Sequence, residues 1–328
     1  MEEGFRLWAN PSSPHADGRK ARALLEDARE RIKLALGWEG ELIFTSGASE
    51  ALAIGLRQAK VERRIVSAAE HDAVFRAAPD ADVVPITGGA IDRSTLRDAI
   101  GEGRRAVVAI QSVNSETGTI HLPLVANPEI AIVREAGALL LRDCSQSAGK
   151  GPLPEADLAV VSAHKFGGPI GIGALLVRDF AMLEAVGGHE RGYRQGTENL
   201  PGALGMAAAL EAGDLESWPT TAEQRFDFRN ALYRLGEALT PAYQCSHIIA
   251  VAHPALSAQA QLIRLDALGF AVSAGSACSS GTLKKSRVLG AFGIDDATAA
   301  RTIRVSIGWS TTPYELDRFV EAWSGLAA

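Results

Sequence analysis

No apolar run among the 328 residues reaches membrane-spanning length, so a transmembrane anchor is not expected. The chain opens on Met1-Glu2-Glu3-Gly4, without a basic segment followed by an apolar stretch, so neither is a secretory leader. A basic face is also missing. The formal net charge is −6, and charges are scattered without a long block of one sign, which argues against direct nucleic-acid binding. Cysteine is scarce: Cys144, Cys245 and Cys278 are too widely spaced for a disulfide framework or a Cys-x-x-Cys metal pair, and no metal is expected. A reducing cytoplasm is the expected location, where one of the three thiols can be reactive. There is no internal repeat and no low-complexity segment.

What is present has the composition of an ordinary globular protein, with 47% hydrophobic and 22% charged residues. The length suits a large domain with a smaller one, or two near-equal domains. A loop at Asn10-Pro11-Ser12-Ser13-Pro14 precedes a helical stretch from about Asp17 to Leu36. Leu24, Leu25, Ala28, Ile32 and Ala35 mark its apolar side, and its Arg and Glu residues are expected to form a solvated face. Short runs then recur that are apolar throughout and end in small or polar residues: Leu42-Ile43-Phe44, Arg64-Ile65-Val66, Ala106 to Ile110, Ala138 to Leu141, and Leu158 to Val161. Such runs suit strands buried on both faces of a mainly parallel sheet, an α/β arrangement that binds ligands at the carboxyl ends of its strands. Those ends bring Ser46, Ser49, His71, Asn114, Asp143, Ser162, His164 and Lys165 toward one rim.

Gly167 to Gly173 is a turn-rich stretch leading into Ala174-Leu175-Leu176-Val177, and Gly187 to Gly192 begins a second polar loop. A helical run from Pro201 to about Ala212 closes the first region, and Ser217 to Thr220 is loop-like. Beyond it, helix and strand patterns alternate as in a smaller α+β lobe: Ala222 to Ala238, Ile248 to Val251, Gln259 to Leu268 and Ile303 to Ser306.

A pyridoxal-phosphate site needs a lysine for the imine, an acidic partner for the pyridine nitrogen and an anion cradle. Lys165 ends a buried strand beside His164, where desolvation favours the neutral, nucleophilic amine; alone, such a lysine is more often a surface residue. Asp143 at another strand end can pair with the pyridinium, or simply cap a turn. Thr45 to Glu50 joins a strand to a helix, and the free amides there, with the Ser49 hydroxyl, make a phosphate site or an ordinary helix start. His71 can stack on the ring or shuttle protons. Asn114 and Gln146 can hydrogen-bond the ring oxygen or the imine.

Ala9 to Ser13, Ser46 to Ala51, Glu70-His71, Val113 to Gly118, Asp143 to Ser147, Ser162 to Lys165, His189 to Gly192 and Ser276 to Cys278 follow one another in a known order. Together, from about Asn10 to Thr312, they resemble the cysteine desulfurases of the NifS/IscS type, in the class V aminotransferase-like group. The resemblance implies a type I pyridoxal-phosphate transferase fold. A large domain (16–214) would hold a mainly parallel seven-stranded sheet between helices. A small α+β domain (215–328, with 1–15 packing nearby) would carry the catalytic-cysteine loop. It implies that Lys165 is the Schiff-base lysine, Asp143 the pyridinium partner, His71 the stacking histidine and Gln146 the ligand of the ring oxygen. Ala48, Ser49, Ser162 and His164 would hold the phosphate. Thr197 would reach the phosphate of a neighbouring subunit, which implies a homodimer. Asn114 and Arg304 would hold the substrate carboxylate, for which a guanidinium is well shaped.

Cys278 lies in a run of small residues, Ser273 to Gly281, that reads as a mobile loop, whereas Cys144 and Cys245 adjoin apolar strands and read as buried small hydrophobes. The implied reaction takes L-cysteine to L-alanine and leaves a persulfide on Cys278 for a sulfur acceptor or scaffold protein, in iron–sulfur assembly or thiolation. Family members usually begin with a strand and a Leu-Asp-Asn-Ala-Ala-Thr-Thr-Pro-like segment; here Met1 to Trp8 stands in that place, and Ser115 stands where a second Asn is common. Two other readings stay open: a selenocysteine lyase or other class V enzyme, and a shortened cofactor-binding scaffold subunit.

Overall fold

The computed structural model describes residues 1–7, 9–103, 105–121, 127–274 and 286–327. After α1 (Glu2–Leu7) comes α2 (Ala16–Leu36), stopped by Gly37 in the left-handed conformation, φ 63°. Its buried face is Ala21, Leu25, Ala28, Ile32 and Leu36. Ala35 is exposed, contrary to the sequence expectation, because the i, i+4 row through Ala28 and Ile32 continues to Leu36. The solvated face also needs correction: Arg29 is only 1% exposed. Its Nη1 lies 2.7 Å from Glu190 Oε2 and its Nη2 3.1 Å from Oε1, a bidentate pair. Glu190 Oε2 also accepts from the Phe44 amide at 2.8 Å, so this pair ties α2 to the first strand of the sheet.

The seven strands of the main sheet are β1 (Glu41–Thr45), β2 (Arg63–Ser67), β3 (Asp82–Val84), β6 (Ala106–Ala109), β7 (Leu139–Asp143), β8 (Leu158–Ser162) and β9 (Gly173–Val177). A small ladder of β4 (Ile86–Thr87) and β5 (Ala90–Ile91) sits beside them. The order across the sheet is β1-β9-β8-β7-β6-β2-β3. Only β9 runs against its neighbours, pairing antiparallel with β8 and β1. The carboxyl ends of β1, β8, β7, β6 and β2 therefore share one rim, as the apolar runs predict. Residues of β8 alternate between two cores: Ala159 and Val161 pack with α2 and α7 (Leu200–Glu211), Leu158 and Val160 with α3 (Ala48–Arg57) and α4 (Asp72–Ala77). A third core joins α5 (Arg93–Ile100) and α6 (Pro128–Glu135) to β2, β6 and β7.

The second sheet has four antiparallel-paired strands in the order β10-β11-β13-β12: β10 (Glu237–Ala238), β11 (Ile248–Ala252), β12 (Ser273–Ala274) and β13 (Thr302–Ser306). One core packs it with α8 (Ala222–Leu235), α9 (Ala258–Ala267) and α12 (Pro313–Ser324). The helix expected to reach Ala238 stops at Leu235; Gly236 is extended, and Glu237–Ala238 turn into β10. A Cβ on Gly236 would stand 2.5 Å from the Trp323 ring, so the break is also a close-packing point. The short helices α10 (Arg287–Ala291) and α11 (Asp296–Arg301) complete this lobe. At the other end, α1 lies on α7, and a Cβ on Gly4 would come within 2.8 Å of Pro201 Cα. A helix thus occupies the place where relatives of this kind were expected to carry a strand. Among the described residues no helix is long and apolar enough to cross a membrane, and no His, Cys, Asp and Glu cluster is arranged to hold a metal ion.

Candidate active site

A cavity of about 530 Å³ opens at the shared rim, lined by Ser46 to Glu50, His71, Gln111, Asp143, Ser145, Gln146, Ser162, His164, Lys165 and Arg304, among others. Strand ends deliver most of these side chains. β8 ends at Ser162 and breaks into a single turn, Ala163–Lys165, that presents His164 and Lys165. β7 ends at Asp143, whose Oδ1 accepts the Ser145 amide at 2.9 Å. Arg304 enters from β13, with Nη1 on the Ser115 carbonyl at 3.1 Å and Nη2 on Ser273 Oγ at 3.0 Å. Among the described residues its Nε is buried without a partner.

β1 feeds α3 through Ser46 and Gly47. Gly47 is the N-cap and supplies no side-chain acceptor. Among the described residues, every other α-helix with an assigned N-cap has one, from His15 of α2 to Thr312 of α12. The positive end of α3 is therefore left open toward the cavity, next to Ser162 and His164. His71 does the reverse at α4. Its Nδ1 accepts the Ala73 amide at 3.1 Å, which leaves the proton of the neutral ring on Nε2.

Electrostatics follow burial. Desolvation, then the Arg304 charge, lowers the Lys165 pKa against the pull of Asp143, favouring the free amine. Burial also lowers His71, with Asp143 and Asp72 opposing. Glu70, 0% exposed, is pushed up to about 8 by burial, although the Gln111 amide bonds its Oε1 at 2.9 Å. Glu116 is raised to about 7, again by burial.

The placement of the remaining candidates is uneven. Ala48, Ser49 and Gln146 line the cavity, and the Gln146 carbonyl is held by His247 Nε2 at 3.0 Å. Asn114 is buried behind the wall. Its Nδ2 donates to the Ala69 carbonyl at 3.1 Å, and its Oδ1 accepts from the Glu116 and Thr117 amides. Thr197 is exposed and does not line the cavity. Cys144 and Cys245 are buried free thiols, and burial pushes Cys144 up to about 11. Cys278 lies outside the described residues.

Two residues at or behind the cavity wall were not singled out from the sequence: Gln111, which lines the cavity, and Lys150, which bonds the Lys165 backbone. Gln111 follows an apolar run as the other strand-end polar groups do, so the same signal marks it. Lys150 is buried, donates to the Lys165 carbonyl at 2.9 Å, and is pushed down to about 8 by burial. A lysine amid small residues, Ala148-Gly149-Lys150-Gly151, carries no comparable signal.

An open helix N-terminus, an acid at one strand end and a lysine of lowered basicity at the next fit a phosphorylated aldehyde cofactor. Ser145 Oγ, on the cavity wall and buried without a partner among the described residues, leaves a polar atom for such a ligand. The family model Aminotransferase class-V matches residues 3–319, and the chain belongs to that family, whose enzymes use pyridoxal phosphate. A cysteine desulfurase of Cereibacter sphaeroides is 34% identical over 96% of this chain and 87% of its own. A solved structure titled NifS-like protein superposes with a TM-score of 0.83 at 27% identity, over 99% of this chain and 94% of that one. Another, SspA in complex with cysteine, gives a TM-score of 0.76 at 26% identity, over 95% of this chain and 96% of that one. The fold is thus the NifS-like form of the pyridoxal-phosphate transferases.

Proposed function

We propose that the chain is a cysteine desulfurase that converts L-cysteine to L-alanine and keeps the sulfur as a persulfide on Cys278. The observation that carries this reading is the meeting of Lys165, Asp143, His71 and Arg304 around one cavity beside the uncapped end of α3. The similarity to named cysteine desulfurases, and to a relative solved with cysteine, supports the choice of substrate.

When bound, pyridoxal phosphate supplies a carbonyl carbon for amino groups and a ring that draws electrons from the substrate Cα. Ala48, Ser49, Ser162 and His164 hold its phosphate, the α3 amides contributing partial positive charge. Asp143 would pair with the ring nitrogen, Gln146 would bond the ring oxygen and His71 would stack on the ring. Arg304 binds the substrate carboxylate through the donors that Ser115 and Ser273 leave free. Asn114 has one amide hydrogen beyond its bond to the Ala69 carbonyl, and that hydrogen would be its donor to the substrate carboxylate. Lys165, its basicity lowered so that the free amine is favoured, would take the Cα proton. The Cys278 thiolate attacks the substrate sulfur and forms an S–S bond as the carbon–sulfur bond breaks. That bond's electron pair stays with the three-carbon product, which takes up protons and leaves as alanine.

We further place the lobe boundary at 214/215 and assign Thr197 to the phosphate of a second copy in a homodimer. Sulfur then passes to an acceptor or scaffold protein for iron–sulfur assembly or thiolation in the cytoplasm. The test is to supply cysteine and measure alanine and sulfide for wild type and Cys278→Ala. The variant is expected to lose sulfide delivery and turnover; wild-type-like turnover removes Cys278 from the reaction. Substituting selenocysteine and comparing alanine release separates the lyase alternative. A protein that binds the cofactor but releases no alanine from either amino acid is a scaffold.

A further inference from the structure

The connection between β2 and α4, residues 68–71, is held at three successive carbonyls by side chains. Gln111 Nε2 and Asn114 Nδ2 both donate to the Ala69 carbonyl, from the main-sheet lobe. Arg287 of the other lobe reaches across to the carbonyls on either side: its Nη1 donates to Ala68 and its Nη2 to Glu70. Arg287 Nη2 also lies 3.1 Å from Asp72 Oδ1, and its guanidinium sits 4.0 Å from the centroid of the Phe75 ring. The adjacent Ser286 Oγ donates to Glu116 Oε2 at 2.6 Å and accepts the Leu289 amide at 3.0 Å. These contacts brace His71 on both sides, at residues 68 and 70 before it and 72 and 75 after it.

A planar fork with five donors can satisfy several acceptors at once, which an ammonium on a flexible stem cannot do in one geometry. Among the described residues the His71 ring has one hydrogen-bond partner, the Ala73 amide, which donates to its Nδ1. Its direction therefore depends on the backbone that carries it.

We infer that Arg287 is a positioning residue: it fixes the 68–75 connection from the opposite lobe so that His71 stands at the cavity. This rests on the reading above that His71 serves the bound cofactor and substrate.

The first test uses the cofactor-free protein. Arg287→Ala is expected to speed amide hydrogen exchange across 68–75 by about tenfold or more, with exchange in the main-sheet strands unchanged and Arg287→Lys intermediate. The second is a double-mutant cycle in the holoenzyme. Arg287→Ala is expected to lower kcat by about tenfold with KM for cysteine changed much less. In a His71→Ala background the same substitution is expected to cost less than about twofold, because the two residues act through one another. Unchanged exchange, or losses that multiply independently, overturns the inference. If Arg287→Ala does not fold, Arg287→Lys carries both tests, since it keeps the charge and loses the fork. The underlying reading fails separately: His71→Ala with wild-type cofactor absorbance and kcat removes His71 from the site.

Discussion

Two helices begin at the rim of the same cavity, and they begin differently. α3 starts at Gly47 with no side-chain cap, whereas α4 starts at His71, whose ring accepts the Ala73 amide. Both follow a strand of the same sheet, so topology does not distinguish them. An uncapped end keeps its donors and partial positive charge for an anion; a capped end spends a donor to fix a side chain. On the proposed reading, α3 receives a phosphate and α4 aims an imidazole. Lys165 lines the same cavity, and its lowered basicity comes from burial and from Arg304.

The comparison can be broken by removing what both ends serve. Lys165→Ala is expected to reduce alanine formation from cysteine by about a thousandfold or more, the scale of losing a catalytic acid–base group. Steady-state alanine assays check this.

Next in size is a charge added to the open end. Ser49→Asp places a carboxylate in the first turn of α3, where it is expected to stabilise the cofactor-free protein by about 0.3–1 kcal/mol. The same charge repels a phosphate and is expected to weaken pyridoxal-phosphate binding by more than about tenfold. Thermal unfolding without cofactor and fluorescence titration with it measure the two effects. A tighter complex would mean that the phosphate does not sit on α3.

A third test concerns Glu70, beneath the His71 cap. Its folded-state pKa is raised from 4.5 to about 8 by burial, so the folded state holds the proton more tightly than the unfolded one. The stability this gives is complete below about pH 4.5 and is lost as pH rises through about 8. Glu70→Gln is expected to make denaturant unfolding less pH-dependent across that window, matching wild type near pH 4.5 and exceeding it at pH 9. A variant with the wild-type pH slope would contradict the protonated state of Glu70.

The smallest expected effect separates the two duties of His71. His71→Asn retains a good cap and should keep stability within about 0.5 kcal/mol, whereas His71→Ala should cost about 1 kcal/mol. Both should perturb the absorbance of the bound cofactor, since both remove the ring.

Much of this was legible in the sequence. Runs apolar throughout gave six of the seven strands of the main sheet, and the polar residues that end them gave most of the cavity wall, because burial on both faces leaves a strand its end for chemistry; the edge strand β3 (Asp82–Val84), exposed at Asp82 and Val83, has no such run. Properties that depend on a distant partner were not legible. Arg29 looks like any helix-surface arginine until Glu190 closes on it from another loop. The contacts of Arg287 are to backbone carbonyls more than 200 residues away, which no local pattern encodes. The open end of α3 lies between these cases: Gly47 is visible, but its meaning appears only beside the ten capped helices.

The central claim is that the Lys165 cavity removes sulfur from cysteine and leaves it on Cys278. The most direct measurement is a single turnover of the holoenzyme with limiting L-cysteine, quantifying alanine while mass spectrometry follows the peptide that holds Cys278. The account predicts that alanine and a one-sulfur mass gain on that peptide rise together and in equal amounts. Alanine without the added sulfur, or added sulfur on Cys144 or Cys245 instead, would contradict it.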